Sequence, residues 1–161
     1  MLARANVTGM PPELSDADYE RLLEFRTGLR RFLKWSGEQA ENVGLSPAQH
    51  QLMLAIRGSR DPRGPTIGNV ADELLLRHHS AVGLVDRAES AGFVRRVHDP
   101  DDHRVVRLRL TATRTRKIRQ LSATMLEELN RLGERLRPIW SGLEERDGTH
   151  VRRQRRAATG G

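Results

Sequence analysis

Basic side chains are concentrated in one stretch of the sequence, and such a stretch is suited to binding a polyanion. Between Phe93 and Arg119 there are nine arginine and lysine residues against three acids, while the whole 161-residue chain has a formal net charge of +7. Four more arginines follow Val151. A localised positive surface of this kind favours a nucleic acid as partner. The alternative is a solvated basic surface, because basic patches also serve solubility and membrane contact.

Residues spaced for catalysis or metal binding are not found in the sequence. The acids that cluster, Asp99, Asp101 and Asp102, lie in a turn flanked by arginines, and no nucleophile elbow, phosphate-binding glycine loop or zinc-protease motif is present. The chain has six histidines, but it has no cysteine and no His-x-x-x-His helix pair. We therefore expect no metal site and no cofactor, and we predict that the chain is not an enzyme.

Length and hydropathy indicate one soluble domain. A chain of 161 residues has the size of a single domain. No apolar run reaches the length of a signal peptide or a membrane span. We expect a cytoplasmic protein with no membrane contact.

Capping residues and apolar periodicity predict four helices in the first 92 residues. Ser46, which is followed by Pro47, and Thr66 are N-cap candidates, while Gly44 and Gly92 stand where helices end. The expected helices cover 15–43, 47–57, 67–74 and 78–91. The first is long and amphipathic, so its apolar face needs a partner surface.

Two strands and a long helix are expected after Gly92. The strands cover 93–98 and 105–110, and in the second strand alternation directs Leu108 inward and Arg107 and Arg109 outward. A long helix follows Thr111, and Pro138 breaks or kinks it. The arginine-rich end of the chain is expected to be flexible.

The order of a short helix, a tight turn, a second helix and a two-stranded hairpin is that of a helix-turn-helix with a wing. The segment LVDRAESAGFVRR matches the pattern hydrophobic-V-D-R-L-E-x-x-G-hydrophobic-V-x-R, and DPDDHRVVRLRLT matches D-P-x-D-x-R-x-x-x-L-x-L-T. By these motifs and the spacing between them, the chain from about residue 15 to residue 143 resembles the MarR (multiple antibiotic resistance regulator) family.

The resemblance implies a mainly α fold with a small two-stranded β wing. It combines a winged helix-turn-helix domain with a helical dimerisation domain formed by the N- and C-terminal helices. The expected parts are a dimerisation helix (15–44), a DNA-binding lobe (45–111), C-terminal dimerisation helices (112–146) and a basic flexible tail (147–161).

The wing supplies the first group of candidate DNA contacts. A wing turn must direct a cation at phosphates or into a narrow minor groove, and Arg104 is the best candidate, with Asp102 orienting its guanidinium. The alternative is an ordinary surface ion pair. Arg95 and Arg96 are candidate phosphate contacts or merely solvate a strand edge. Arg107 is a further candidate DNA contact, because it is expected to be an outward-facing cation of the second strand.

The second helix of the motif supplies the other candidates. His78, His79 and Ser80 lie in its first turn, the end that usually meets base edges, and Arg87 lies farther along the same side. Ser80 serves equally well as a local cap and His78 as a packed turn residue. Gly83 either permits close approach of the helix to DNA or leaves no side chain at this position to contact a base.

The sequence departs from the family pattern at this helix. Ala88 stands where the family has a bulky leucine, and Arg77 stands where a capping serine or aspartate is common. Arg87 has an alternative role in a network with Asp86 or Glu89. The bases that are contacted therefore do not follow from the motif.

The family resemblance also implies a cleft for small aromatic or lipophilic ligands between the dimerisation helices and the DNA-binding lobe. Trp35, His50 and Met53 fall on helices that would line it. Plain core packing is the alternative, and for Met53 and Phe32 it is the better one.

The sequence thus predicts a homodimeric transcription regulator that binds a pseudo-palindromic operator in double-stranded DNA. By the resemblance it represses transcription and is released by a small ligand. The alternatives are a helical protein-interaction module with a solvated basic face, and an architectural DNA binder without ligand control.

Overall fold

The computed structural model describes the backbone of residues 14–158, and the side chains of residues 14–139 except Thr113 and Lys117. The elements in chain order are α1 (Asp16–Asn42), α2 (Pro47–Arg57), α3 (Ile67–Glu73), α4 (His78–Ser90), β1 (Val94–His98), β2 (Val106–Leu110) and α5 (Ala112–Ala158). The predicted class, mainly α with a two-stranded antiparallel wing, is confirmed. No helix within residues 14–158 is long and apolar enough to span a membrane.

Two helices begin at the capping residues that the sequence predicted. Ser46 Oγ accepts a hydrogen bond from the Gln49 backbone N–H at 3.2 Å, and Gln49 Oε1 accepts one from the Ser46 N–H at 2.9 Å. Thr66 and Asn69 form the same reciprocal pair at the start of α3. Each pair satisfies donors that the first helical turn leaves free, so each helix start is defined locally.

Three helices end with a residue in the left-handed conformation. Gly44 ends α1 at φ 76° and Gly92 ends α4 at φ 70°, as the sequence predicted. Leu75 has the same role after α3 at φ 54°. Its neighbour Leu76 donates to the Ala71 carbonyl at 2.8 Å, which closes the turn in the pattern of a Schellman motif. The turn between α3 and α4 therefore rests on a leucine where glycine is the usual residue.

The chain divides into two compact units, one of residues 32–130 and one of residues 14–31 with 131–158. In the larger unit, β1 pairs with β2 so that Val94 lies opposite Leu110 and His98 lies opposite Val106. Its core combines apolar side chains of α2, α3, α4, both strands and the adjoining parts of α1 and α5: Ala40, Leu45, Leu52, Met53, Ile56, Val70, Leu84, Val85, Ala88, Phe93, Val94, Leu108, Ile118, Leu121 and Met125.

The smaller unit packs the first half of α1 against α5. Gly28 permits the close approach, because a Cβ at this position would lie 3.1 Å from Leu132 Cδ1. At the start of α1, the buried Asp18 carboxylate accepts hydrogen bonds from the backbone N–H and the hydroxyl of Ser15. These bonds satisfy donors at the helix start and position its first turn.

The last helix differs from the sequence expectation. Pro138 lies inside α5, which continues without a break to Ala158, where we expected a flexible tail from residue 147. A proline removes one backbone hydrogen bond, and helix-forming Leu, Glu and Arg residues on both sides compensate for that loss. Flexibility of the segment and the lobe limits 45–111 stay predictions.

Candidate nucleic-acid interface

Helix α4 has one buried face and one exposed face, as the sequence predicted. Ala81, Leu84, Val85 and Ala88 are buried against the core. The three residues of the first turn, 78–80, are exposed, and the N-cap residue Arg77 makes no side-chain cap bond. An uncapped first turn leaves backbone N–H groups available to an anion, and the helix dipole favours negative charge there.

Arg87 lies on the exposed face of α4 and is not held by an acid. Its guanidinium passes over Gly83, where a Cβ would lie 3.4 Å from Arg87 Nη1. No ion pair of Arg87 is found among residues 14–139, although Asp86 and Glu89 are close in sequence. Gly83 therefore gives the Arg87 side chain room along the helix, and its charge is available to a ligand.

Arg96 of β1 takes the structural role that the sequence offered to Arg87. Its guanidinium donates to Asp86 Oδ1 at 2.5 Å and also to Glu89 Oε2, and its backbone N–H donates to Glu89 Oε1 at 3.1 Å. Burial alone would lower the pKa of Arg96, but the bonds and charges of both acids outweigh it and raise the pKa. Arg96 thus links β1 to α4 through two ion pairs. This argues against the prediction that Arg96 is free to contact a phosphate.

The turn between the strands presents Arg104 as expected. Arg104 Nε donates to Asp102 Oδ1 at 3.1 Å and Nη2 donates to Oδ2 at 3.2 Å, so the two side chains form a two-pronged pair. The Arg104 side chain is nevertheless 91% exposed. Hydrogen bonds from the side chain and backbone of Arg104 lower the pKa of Asp102. The carboxylate therefore stays charged and orients a guanidinium that is open to solvent.

Arg107 does not face outward, and this prediction was wrong. Its side chain is only 13% exposed: Nε donates to the buried Asp99 at 2.8 Å, and Nη1 donates to Asp61 at 2.7 Å and to the Gly64 carbonyl at 3.1 Å. The loop between α2 and α3 covers this side of β2, because the Leu108 N–H donates to the Pro65 carbonyl at 2.8 Å. Arg107 therefore connects the wing to that loop.

Arg63 completes this cluster, which sequence reasoning missed. Its guanidinium lies 3.3 Å from Asp99 Oδ2 and 3.2 Å from Asp101 Oδ2. A hydrogen bond from the Asp101 backbone, and after it the bond from Arg107, lower the pKa of Asp99 against the opposing effect of burial. These charged residues form one cluster that positions the wing: Asp61, Arg63, Asp99, Asp101 and Arg107. In the sequence, the only signal of this cluster is a loop that contains both acidic and basic residues.

Comparison with known proteins agrees with this geometry. The model of the MarR family matches residues 43–105, which hold α2, α3, α4, β1 and the wing turn. Residues 43–105 are therefore similar to the MarR family. The resemblance seen in the sequence is confirmed, while no curated protein sequence matches the chain.

Solved structures extend the similarity to most of the chain. A MarR family protein from Bacillus stearothermophilus is 23% identical, with a TM-score of 0.61 over 88% of this chain and 98% of its own. Apo MarR from E. coli is 19% identical, with a TM-score of 0.60 over 86% and 98%. A mutant form of S. aureus MepR bound to an oligodeoxyribonucleotide is 15% identical, with a TM-score of 0.56 over 85% and 99%. The chain therefore has the MarR fold.

Two candidate ligand residues of this MarR-fold chain are packed in the core region. Met53 is fully buried, and Trp35 packs against the same core cluster with its ring centroid 6.1 Å from that of Phe32. His50 is 3% exposed, its Nε2 has no hydrogen-bond partner, and burial lowers its pKa. Neither of two clefts found in the larger unit is lined by these residues, so their ligand role stays a prediction.

The remaining predicted DNA-contact residues, Arg95, His78, His79 and Ser80, are all exposed. Arg95 is exposed on β1, directly opposite Arg109 of β2. His78, His79 and Ser80 are exposed, and Ser80 forms no side-chain hydrogen bond within the described part of the chain. Residues 14–139 contain no group of three side chains able to hold a metal ion. The exposed face of α4 and Arg104 thus form the candidate interface.

Proposed function

We propose that the chain is a homodimeric transcription regulator that binds specific sites in double-stranded DNA. The observation that carries the proposal is Arg104, a 91% exposed guanidinium whose direction Asp102 sets at the end of a wing. An exposed guanidinium whose direction is set by a neighbouring carboxylate is suited to a phosphate or to a narrow minor groove, where negative potential is enhanced. The structural relative MepR was solved, in a mutant form, with a bound oligodeoxyribonucleotide.

The exposed face of α4 supports a role in reading bases. A helix with a free N-terminal turn fits the major groove, where side chains distinguish all four base pairs. His78, His79 and Arg87 are the side chains we assign to this contact, because they are exposed and no acid among the described residues neutralises Arg87. Their donors are of the kind that recognises guanine and adenine edges or phosphates.

Apolar side chains left exposed on α1 and α5 support the dimer. Tyr19, Leu22 and Leu23 are each more than half exposed, and so is Leu126 of α5. Exposed leucines of this number on the long helices need cover, which a second copy supplies in a two-fold dimer. The two recognition helices then enter successive major grooves about one helical turn apart, with a wing in each flanking minor groove.

Repression and release by a ligand complete the proposal. A ligand that prefers one lobe spacing shifts the dimer away from the half-site distance, a coupling of typically about 1 to 3 kcal/mol. His50 is the strongest candidate to face such a ligand, because its buried Nε2 lacks a partner. Trp35 and Met53 are its expected neighbours in the site.

The first experiment is the selection of bound sites from random duplexes at near-physiological salt, with the dimer state measured by sedimentation. We expect a two-fold site with half-sites about one turn apart. A selection without enrichment would contradict the regulator and leave a basic protein that binds by charge alone. Enrichment of bent or AT-rich DNA without a defined site would indicate an architectural binder.

Two wing variants test the role assigned to Arg104. Arg104→Ala should weaken binding to all sequences and reduce the salt slope by about 1, whereas Arg31→Ala should change neither, because it removes an equal charge from an exposed position of α1 outside the side that carries Tyr19, Leu22 and Leu23. Asp102→Ala is the sharper variant, because it removes a negative charge yet releases Arg104. If Asp102 acts by orienting Arg104, the variant should bind DNA more weakly. If only the net charge matters, it should bind DNA more strongly, so stronger binding would contradict the role of Asp102.

A further inference from the structure

A cleft at the base of the wing is unused by the proposed interface. It has a volume of about 280 Å³ and lies entirely within the larger unit. Its lining comes from the end of α2, the loop that follows, β2 and the first turn of α5: Ile56, Arg57, Ser59, Asp61, Pro62, Gly64, Leu108, Arg109, Leu110 and Thr115. The proposed contact of the wing turn with DNA therefore does not explain this cleft.

Two arginines that have no acid partner in the described part of the chain line this cleft. Arg57 and Arg109 are both exposed, and neither has an ion pair among residues 14–139. The acid of the cleft, Asp61, is already occupied, since Oδ2 accepts from Arg107 at 2.7 Å and Oδ1 accepts from the Arg63 backbone at 2.9 Å. The cleft thus holds two positive charges that the surrounding acids leave uncompensated.

The strand register increases this excess of charge. Arg109 lies directly opposite Arg95, so both arginines are on the same face of the hairpin. Like charges at opposed positions destabilise a strand pair, and Arg95 also lacks an acid partner in the described part of the chain. Binding of an anion beside Arg109 removes this repulsion.

The position of the cleft favours a small anion over DNA. Arg109 is at the fourth position of β2, about 10 Å along the strand from Val106, which adjoins the wing turn. The other wall is fixed close to β2 by Gly64, whose φ is +87° and where a Cβ would lie 2.5 Å from the Leu108 carbonyl oxygen. The loop wall of the cleft is therefore held close to β2 before any ligand binds.

We propose that Arg57 and Arg109 bind a small dianion in this cleft, either a dicarboxylate or a phosphate monoester. Two arginine forks match two negative charges, and guanidinium geometry suits carboxylate and phosphate oxygens. The volume of about 280 Å³ is just below the usual range for ligand pockets, which limits the occupant to a small metabolite. The site is separate from α4 and Arg104, so it does not depend on the proposed DNA binding.

Calorimetric titration of the full chain with inorganic phosphate and, separately, with succinate tests the site without DNA. We expect one bound anion per chain, and a loss of affinity of about tenfold or more in Arg57→Gln and in Arg109→Gln. Arg119→Gln is the matched control, because it removes an equal charge from an exposed position of α5 outside the cleft. Without anion, Arg57→Gln and Arg119→Gln should unfold at about the temperature of the wild type, since the changed side chains are exposed. Arg109→Gln should unfold at the same temperature or slightly higher, because it also removes the repulsion by Arg95.

Each outcome bears on the proposal. Binding of phosphate alone or of succinate alone supports the site and identifies the anion class. The proposal is overturned if neither anion binds at about 10 mM, or if the two cleft variants bind them as tightly as the control does. It is also overturned if the cleft variants leave anion binding unchanged but weaken DNA binding with a shallower salt slope, because the arginines then contact the DNA backbone.

Discussion

Leu75 is the residue whose replacement tests most directly how the turn before the recognition helix is built. It holds a left-handed conformation, φ 54°, that Gly44 and Gly92 hold at the ends of α1 and α4. For a residue with a Cβ this conformation costs about 1 to 2 kcal/mol. The side chain is 91% exposed, so its removal sacrifices almost no buried apolar surface.

The expected effect of Leu75→Gly is stabilisation. Relief of the left-handed strain is partly offset by the larger entropy of glycine in the unfolded chain, about 0.5 to 1 kcal/mol. The difference leaves a gain of roughly 0.5 to 1 kcal/mol in the free energy of unfolding. For a chain of this length that gain raises the melting temperature by about 1 to 4 °C.

Urea and thermal unfolding at one fixed protein concentration measure the gain, since a dimer is expected to unfold in a concentration-dependent way. Leu75→Ala is the matched control, because it removes most of the side chain but keeps the Cβ that causes the strain. It should stay within about 0.5 kcal/mol of the wild type. If the glycine variant is no more stable than the alanine variant, the strain at this turn is refuted.

Two further predictions concern the interior and the exit of the recognition helix. Burial lowers the pKa of His50, so below about pH 6.5 the unfolded chain binds a proton more readily than the folded chain does. The free energy of unfolding therefore decreases as the pH is lowered through this range. His50→Leu should flatten this slope in urea unfolding between about pH 7 and 5; an unchanged slope would show that other groups cause it. Because Arg96 pairs with Asp86 and Glu89, Arg96→Gln should cost about 1 kcal/mol of stability, whereas Arg87→Gln should mainly weaken DNA binding. Equal losses of stability would contradict the division of roles between the two arginines.

Helix ends and the wing turn could be predicted from the sequence because their interactions are local. Ser46 and Thr66 each bond to a residue three positions along the chain, and the conformation of Gly44 and Gly92 depends on the glycine itself. The pair of Asp102 and Arg104 spans two residues, so the orientation of the exposed arginine followed from the motif. These interactions form wherever the segment lies in the fold.

Which arginines are free was decided by the tertiary structure. Alternation along β2 predicted Arg107 outside, but the loop from Asp61 covers that side of the strand, and the two residues are 46 positions apart. Arg96 likewise finds Asp86 only because β1 returns along α4. The sequence determines how many charges the chain carries and which short segments form elements. The fold determines which acid lies within a few ångströms of each arginine, and that distance separates a structural ion pair from a cation available to a ligand.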